Sequence, residues 1–130
     1  MDAELKLKIL FLIIIIIEIP LGLLMIIVPN LVIDLLSFPK PQDPIIFGVA
    51  ASLWLAFGVI SFLGYREPMK YFPIILFQFT YKCIWFLGVI IPQALAGSIQ
   101  TYGITMIIVF AFFVVADIIV IPWNKILEKK

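Results

Sequence analysis

One nine-residue stretch, FQFTYKCIW at residues 77–85, places several polar side chains inside an otherwise apolar segment. Gln78, Tyr81, Lys82 and Trp85 follow one another at helical spacing, so a helix would present all four on one face. A lysine at mid-depth in a bilayer costs from about 3 kcal/mol upward and is tolerated where it meets an anion or water. We therefore expect this face to point at protein and Lys82 to have an acidic partner.

Two carboxylates are candidates for that partner. Counted from the proline that follows each segment, Glu18 and Lys82 lie at nearly the same depth, because an α-helix rises ~1.5 Å per residue. The same count places Asp117 and Gln78 in a second polar layer, about one helical turn from the first. We predict that Lys82 pairs with Glu18 or extends towards Asp117. Two interpretations stay open: structural pairing, or a proton or substrate site of the kind that marks transport paths.

The inventory of reactive side chains predicts that the chain is not an enzyme. It contains no histidine and one cysteine, Cys83, so it lacks both the usual haem and metal ligands and the cysteine pair of a dithiol oxidoreductase. No serine or threonine stands beside a plausible buried base that would activate it. We expect no catalytic residue, no metal site and no cofactor.

Composition decides the class of protein. Hydrophobic residues make up 65% of the 130 residues and charged residues 13%, whereas soluble domains contain roughly 45–50% apolar residues. This predicts an integral membrane protein whose main partner is the lipid bilayer. The net charge of +1 gives no support to nucleic-acid binding. A chain of this length has room for about four spans of ~20 residues.

Four apolar runs predict an all-α fold, a four-helix bundle that forms a single transmembrane domain over residues 1–130. The predicted spans cover residues 9–28, 44–64, 72–91 and 102–121. A shorter apolar stretch at residues 31–38 cannot cross a bilayer, and we expect it to lie at the membrane interface. Asp43 followed by Pro44 is typical of a helix start and predicts the beginning of the second span.

Small residues recur every four positions along the second span, at Gly48, Ser52 and Ala56. Such a stripe lets another helix approach closely. We expect it to be a packing face within or between subunits, with a ligand groove as the alternative.

Positive charges predict the orientation. Seven lysines and arginines flank the spans on one side: Lys6, Lys8, Arg66, Lys70, Lys125, Lys129 and Lys130. The loops on the other side together hold only Lys40. Because positive residues concentrate in cytoplasmic loops, both termini are predicted to be cytoplasmic, in a bacterial inner membrane.

Two resemblances extend this interpretation. A single mid-membrane glutamate in the first of four spans, Glu18, resembles the small multidrug resistance transporters, and this implies that Glu18 exchanges protons for a cationic drug between two subunits. The whole layout is similar to the DoxX-like group of small four-span bacterial membrane proteins, with its proline-rich link, small-residue second span and short inner turn containing Arg66. That resemblance implies a fold and leaves the activity open.

Two functions are therefore compatible with the sequence. The first, which the nearly balanced membrane charges favour, is a structural or accessory subunit whose stripe docks a second copy or another membrane protein. The second is a proton-coupled carrier or binder of a small amphipathic or lipid-like ligand. In that function the ligand lies between spans one, three and four, Lys82 is the anion-facing or proton-exchanging group, and Tyr81 and Trp85 form an aromatic wall. Glu18 and Asp117 are two carboxylates against the single lysine Lys82, so one of them is left without a cation. This unpaired carboxylate keeps the second function open.

Overall fold

The computed structural model describes residues 1–128, and all regular structure in that range is helical. Lys129 and Lys130, two of the charges used to predict orientation, lie outside the described residues. The helices are α1 (Ala3–Ile27), α2 (Pro29–Leu35), α3 (Pro44–Arg66), α4 (Pro68–Tyr71), α5 (Pro73–Trp85), α6 (Ile91–Leu95), α7 (Thr101–Val120) and α8 (Trp123–Leu127). A π-helical turn, Phe86–Ile90, joins α5 to α6.

Four of these segments are long and apolar enough to cross a membrane: α1, α3, the continuous run Pro73–Leu95, and α7. The predicted all-helical class with four long apolar helices is thereby confirmed, and it is consistent with a multi-pass membrane protein. Large apolar side chains face outward along these helices, including Ile16, Phe62 and Ile119, which are all half-exposed or more. An exposed apolar surface of this extent suits contact with lipid better than contact with water.

Side-chain caps explain where the first two spans begin. The Asp43 carboxylate accepts hydrogen bonds from the backbone N–H groups of Ile45 and Ile46, both at 2.9 Å, and Pro44 occupies the first turn. The predicted start of the second span is therefore confirmed. The first helix begins at Ala3, before the predicted residue 9, because Asp2 caps it and the charged residues that follow are good helix formers.

The third span continues past its predicted end before Pro92. A proline inside an α-helix lacks an N–H donor, and its ring clashes with the carbonyl four residues earlier. The π-helical turn immediately before it, in which the Ile91 N–H donates to the Phe86 carbonyl, widens the helix at this point. The helix therefore runs on to Leu95, and the connecting loop begins later than the sequence indicated.

Glycines bring α1 and α3 into close contact. A Cβ atom added to Gly22 would lie 2.7 Å from the Leu55 Cβ, and one added to Gly58 would lie 2.5 Å from the Ile19 Cγ1. These distances are far below an ordinary van der Waals contact, so each glycine is needed for the two backbones to approach as they do.

The predicted stripe of Gly48, Ser52 and Ala56 takes no part in this packing. A Cβ added to Gly48 would meet nothing within 4 Å, and Ser52 and Ala56 are exposed. The stripe is therefore not a packing face within the chain, because the helix contact uses a different face of α3. Its use between subunits stays a prediction.

The apolar core consists of two clusters. One packs around Phe11 and Ile14 of α1, and the other packs around Met25 of the same helix. Glu18 lies on α1 between these clusters and is 5% exposed. The buried carboxyl group of Glu18 thus lies at a level between the two apolar clusters.

Candidate functional site

The side chain of Lys82 is held inside the protein by aromatic rings. It is 1% exposed, and its Nζ lies 4.7 Å from the ring centres of Tyr81 and Phe113 and 5.0 Å from that of Phe110. The electron-rich faces of such rings attract a cation, with about 0.5–2 kcal/mol for each contact. These rings therefore replace part of the hydration that the ammonium loses on burial.

The ion pair that we expected between Lys82 and Glu18 is not formed. Within residues 1–128 no carboxylate oxygen lies within 4.0 Å of the Lys82 Nζ, which also has no hydrogen-bond partner there. The Oε2 atom of Glu18 is likewise buried without a partner. Equal depth brings the two side chains to one level, but the ammonium is directed at the aromatic rings.

The second polar layer does form, and it links α5 to α7. The Nε2 of Gln78 donates a hydrogen bond of 3.0 Å to the Oδ1 of Asp117, and both residues are fully buried. The remaining oxygen of each side chain, Gln78 Oε1 and Asp117 Oδ2, has no partner in the described part of the chain. The sequence correctly placed these two residues together.

A cavity of about 150 Å³ has both Glu18 and Lys82 in its wall, and we call it the charged cavity. Most of its other lining side chains are apolar, among them Leu21, Trp54 and Phe113. An apolar cavity of about 150 Å³ is large enough to hold a benzene-sized molecule. Glu18 and Lys82 thus both contribute to the wall of a space that admits a small ligand, although the Glu18 Oε2 and the Lys82 Nζ are themselves buried behind its apolar lining.

A second cavity of about 410 Å³ adjoins it beside the link between α2 and α3, and we call it the link cavity. The two cavities share Trp54, Met106 and Phe110 in their walls. The predicted aromatic wall of Tyr81 and Trp85 belongs to the link cavity. These two residues therefore line the link cavity and not the charged cavity.

Phe38 and Tyr102 also line the link cavity, and their rings meet edge to face with centres 6.0 Å apart. Phe38 comes from the proline-rich link and Tyr102 from the first turn of α7. The link thus forms part of the wall of the link cavity and contacts the start of α7.

The aromatic residues of α7 were missed in the sequence. Phe110, Phe113 and Asp117 are spaced three and four residues apart, which places them on one helix face, and all three are buried. The spacing of these aromatic residues relative to a carboxylate in an apolar helix is a signal that could have identified them. Trp54 and Met106 carry no comparable signal, because single large apolar residues are common in every span.

The stripe of Gly48 and Ser52 borders a different space, an open groove of about 750 Å³ along the outer side of α3. No ionisable side chain lines this groove. The alternative of a ligand groove along the stripe therefore lacks the polar chemistry that the charged cavity has.

Residues 1–128 contain no group of three or more histidine, cysteine, aspartate or glutamate side chains that could hold a metal ion. That the protein works without a metal or cofactor, and that it is not an enzyme, stay predictions from the sequence.

Comparisons with protein-family models, with curated proteins and with solved structures find no match to this chain. The resemblances to the small multidrug resistance transporters and to the DoxX-like group therefore stay predictions. The function has to be inferred from the cavities and from the charged side chains that face them.

Proposed function

We propose that this chain is a multi-pass membrane protein, folded as a four-helix bundle, that binds or carries a small amphipathic ligand between its helices. The observation that carries the proposal is the charged cavity, because its wall includes Lys82 and Glu18, whose buried Nζ and Oε2 atoms have no hydrogen-bond partners among the described residues. A buried polar group left unsatisfied costs about 1–3 kcal/mol, and a charged group costs more. A bound ligand that contacts both groups would offset that cost.

A structural or accessory subunit is the second candidate. The close contact of α1 with α3 and the exposed stripe of Gly48, Ser52 and Ala56 favour it, because the stripe leaves a smooth face for another helix. A purely structural polar core, however, is expected to pair its buried charges. The unpaired atoms of Lys82 and Glu18 make the binder or carrier the better supported function.

The test is to purify the chain in mild detergent, record its oligomeric state by native mass spectrometry, and identify co-purifying small molecules. We expect about one small molecule per chain in the wild type and less than about a tenth of that in Lys82→Met, since a tenfold loss corresponds to about 1.4 kcal/mol. Lys125→Met, which changes an exposed lysine of α8, is the matched control and should retain the wild-type amount. Equal retention in wild type and Lys82→Met, or none in either, would count against a binding function.

We also propose that both termini and the α3–α4 turn face the cytoplasm. Among the described residues, the Lys8 ammonium lies 5.0 Å from the ring centre of Tyr65, which brings the start of α1 to the end of α3. Arg66 and Lys70 add further positive charge at this end, while Lys40 at the other end is paired with Asp34. The concentration of positive charge supports this orientation in a bacterial inner membrane.

Orientation can be measured with single cysteines at Ser98 and Glu128 in a Cys83→Ser background. We expect a membrane-impermeant thiol reagent added to intact cells to label the cysteine at position 98 and to leave the one at position 128 unlabelled until the membrane is opened. The reverse pattern would show that the termini face outward.

A further inference from the structure

The link cavity is a second candidate site, which adjoins the charged cavity but is lined by different chemistry. We infer that it binds a neutral, flat molecule of fused aromatic rings, which lies between two groups of aromatic side chains. Neither the Lys82 ammonium nor the Glu18 carboxyl group is needed as a contact, so this site goes beyond the proposed function.

The first aromatic group surrounds Phe110 of α7. The ring centres of Trp85, Tyr81 and Trp54 lie 4.8, 6.1 and 6.3 Å from that of Phe110. All four residues line the link cavity, and all except Phe110 are only half-buried. The helices α3, α5 and α7 thus each contribute aromatic side chains to this part of the wall, and part of their surface stays accessible.

The second aromatic group surrounds Phe38 of the proline-rich link. The ring centres of Phe47 and Tyr102 lie 6.4 and 6.0 Å from that of Phe38, and these three residues also line the link cavity. Among the described residues, no aromatic pair joins this group to the one around Phe110. The cavity of about 410 Å³ therefore has two aromatic parts that do not contact each other.

The wall between the two groups consists of smaller or more adaptable side chains. Along α7, Tyr102, Met106 and Phe110 follow one another at intervals of four residues, so the two groups are separated by roughly 12 Å along this helix. Met106 lies midway, and a methionine side chain adapts its shape and makes favourable contacts with rings. Ala50 of α3 also lines the cavity and is small. These side chains leave room for a flat molecule that contacts both aromatic groups at once.

The charges around the link cavity favour a neutral ligand. Its wall includes no lysine, arginine, aspartate or glutamate among the described residues. An anion would find no counterion there, and the electron-rich ring faces would repel it. A cation is attracted by such faces, but the Lys82 ammonium already lies 4.7 and 5.0 Å from the ring centres of Tyr81 and Phe110, two rings of this wall. It would repel a second cation on these rings.

The test uses the full chain in lipid nanodiscs and a set of matched anthracenes. Energy transfer from tryptophan to anthracene reports binding, because Trp54 and Trp85 line the cavity. Only the transfer that excess phenanthrene abolishes is counted, which removes the signal of probe dissolved in lipid. The probes are 9-anthracenemethanol as the neutral molecule, 9-anthracenecarboxylate as the anion and 9-(aminomethyl)anthracene as the cation. Perhydroanthracene, which is saturated and not flat, is tested as a competitor.

We expect saturable binding of 9-anthracenemethanol with a Kd at least about tenfold below those of the anion and the cation, because neither charge finds a partner in the wall. Perhydroanthracene should compete at least about tenfold more weakly than phenanthrene, since it cannot make ring-to-ring contacts. Both comparisons are made on the wild-type protein, so they do not depend on the folding of a variant.

Ala50→Leu extends a larger side chain into the middle of the cavity and should raise the Kd for 9-anthracenemethanol at least about tenfold. Ala56→Leu is the matched control, because it is the same substitution at an exposed position of α3 that does not line the link cavity. This control should stay within about twofold of wild type.

Four results would overturn the inference. Tighter binding of the anion or the cation would show that the rings select a charged ligand. Equal competition by perhydroanthracene would show that flat rings are not selected. An unchanged Kd in Ala50→Leu would place the probe outside the link cavity. If phenanthrene displaces no probe, the cavity does not bind fused rings, while co-purification with the wild type and Lys82→Met would decide separately on the function proposed from the charged cavity.

Discussion

Replacing Lys82 with methionine is expected to lower the free energy of unfolding by about 1–3 kcal/mol, because it leaves the nearby buried carboxyl groups without a cation. Among the described residues, the buried ionisable side chains are Glu18, Lys82 and Asp117, so the substitution removes the cation and leaves two carboxyl groups. It also removes the contacts of the ammonium with three aromatic rings.

An opposing effect has to be weighed against this loss. Methionine has a similar volume and needs no hydration, so the variant no longer bears the cost of burying an ammonium without a hydrogen-bond partner. Two unit charges about 6 Å apart, however, attract by ~3 kcal/mol at an effective dielectric constant near 20, and the Lys82 ammonium is attracted by the carboxyl groups of Glu18 on α1 and Asp117 on α7. We expect the lost attraction to exceed the recovered hydration cost.

The decisive comparison is between the single variant Lys82→Met and a double variant that also removes one of the opposing negative charges. In the double variant Lys82→Met/Glu18→Gln one carboxylate is neutralised as well, so the double variant should recover stability relative to Lys82→Met alone. Unfolding would be followed by circular dichroism as the detergent SDS is added to the protein in mixed micelles, with Lys125→Met as the control at an exposed position. A Lys82→Met chain as stable as this control, or a double variant less stable than the single one, would refute the electrostatic account.

Much of the helical layout was predictable because apolar composition and helix caps are local properties. The four apolar runs and the start of α3 at Asp43 and Pro44 follow from residues close together in the sequence. The continuation past Pro92 was not predictable in this way. A proline ends most helices, and only the hydrogen-bond pattern of the preceding turn shows that this one is accommodated.

The site was predictable to the extent that depth determines it. Depth along the helix axes placed Gln78 level with Asp117, and their side chains do meet. Depth also placed Glu18 level with Lys82. The depth of a residue, however, does not reveal how far apart two helices are or which side chains lie between them. The rings around the ammonium and the cavity beside it depend on packing among all four long helices, which spacing along one helix does not reveal.

The spacing of glycines along a helix likewise does not predict which of them contact another helix. The regular stripe beginning at Gly48 faces away from the rest of the chain, whereas Gly22, Gly58 and Gly64 contact neighbouring residues closely. Gly58 and Gly64 do not follow the four-residue repeat that typically marks such faces. Which small residues are used is decided by the rotation of each helix about its axis, and this rotation is set by the packing of larger side chains.

Replacing Gly22 with alanine should therefore be among the most damaging small substitutions in the chain. The added Cβ would lie 2.7 Å from the Leu55 Cβ, 2.8 Å from its backbone nitrogen and 2.9 Å from its Cα. Because backbone atoms cannot turn aside as a side chain does, α1 and α3 would have to separate. Overpacking of this kind costs about 1–3 kcal/mol, and occasionally more.

Gly48→Ala is the matched control, since the same change on α3 meets nothing within 4 Å. There alanine should be neutral or stabilise the helix by up to about 1 kcal/mol through its higher helix propensity. Measured by the same unfolding experiment, Gly22→Ala should be at least about 1 kcal/mol less stable than Gly48→Ala. Equal stability of the two variants would show that α1 and α3 do not pack as closely as the structure describes.

Gly22→Ala also connects this helix contact to the proposed ligand site. Glu18 lies one turn before Gly22 on α1, Trp54 immediately precedes Leu55 on α3, and both line the charged cavity. Separating the helices would therefore widen the cavity and move Glu18 relative to Lys82. We expect the amount of co-purified small molecule to fall by about tenfold in Gly22→Ala and to stay within about twofold of wild type in Gly48→Ala. A Gly22→Ala chain that loses stability yet retains the wild-type amount of that molecule would place the ligand outside the contact region of α1 and α3.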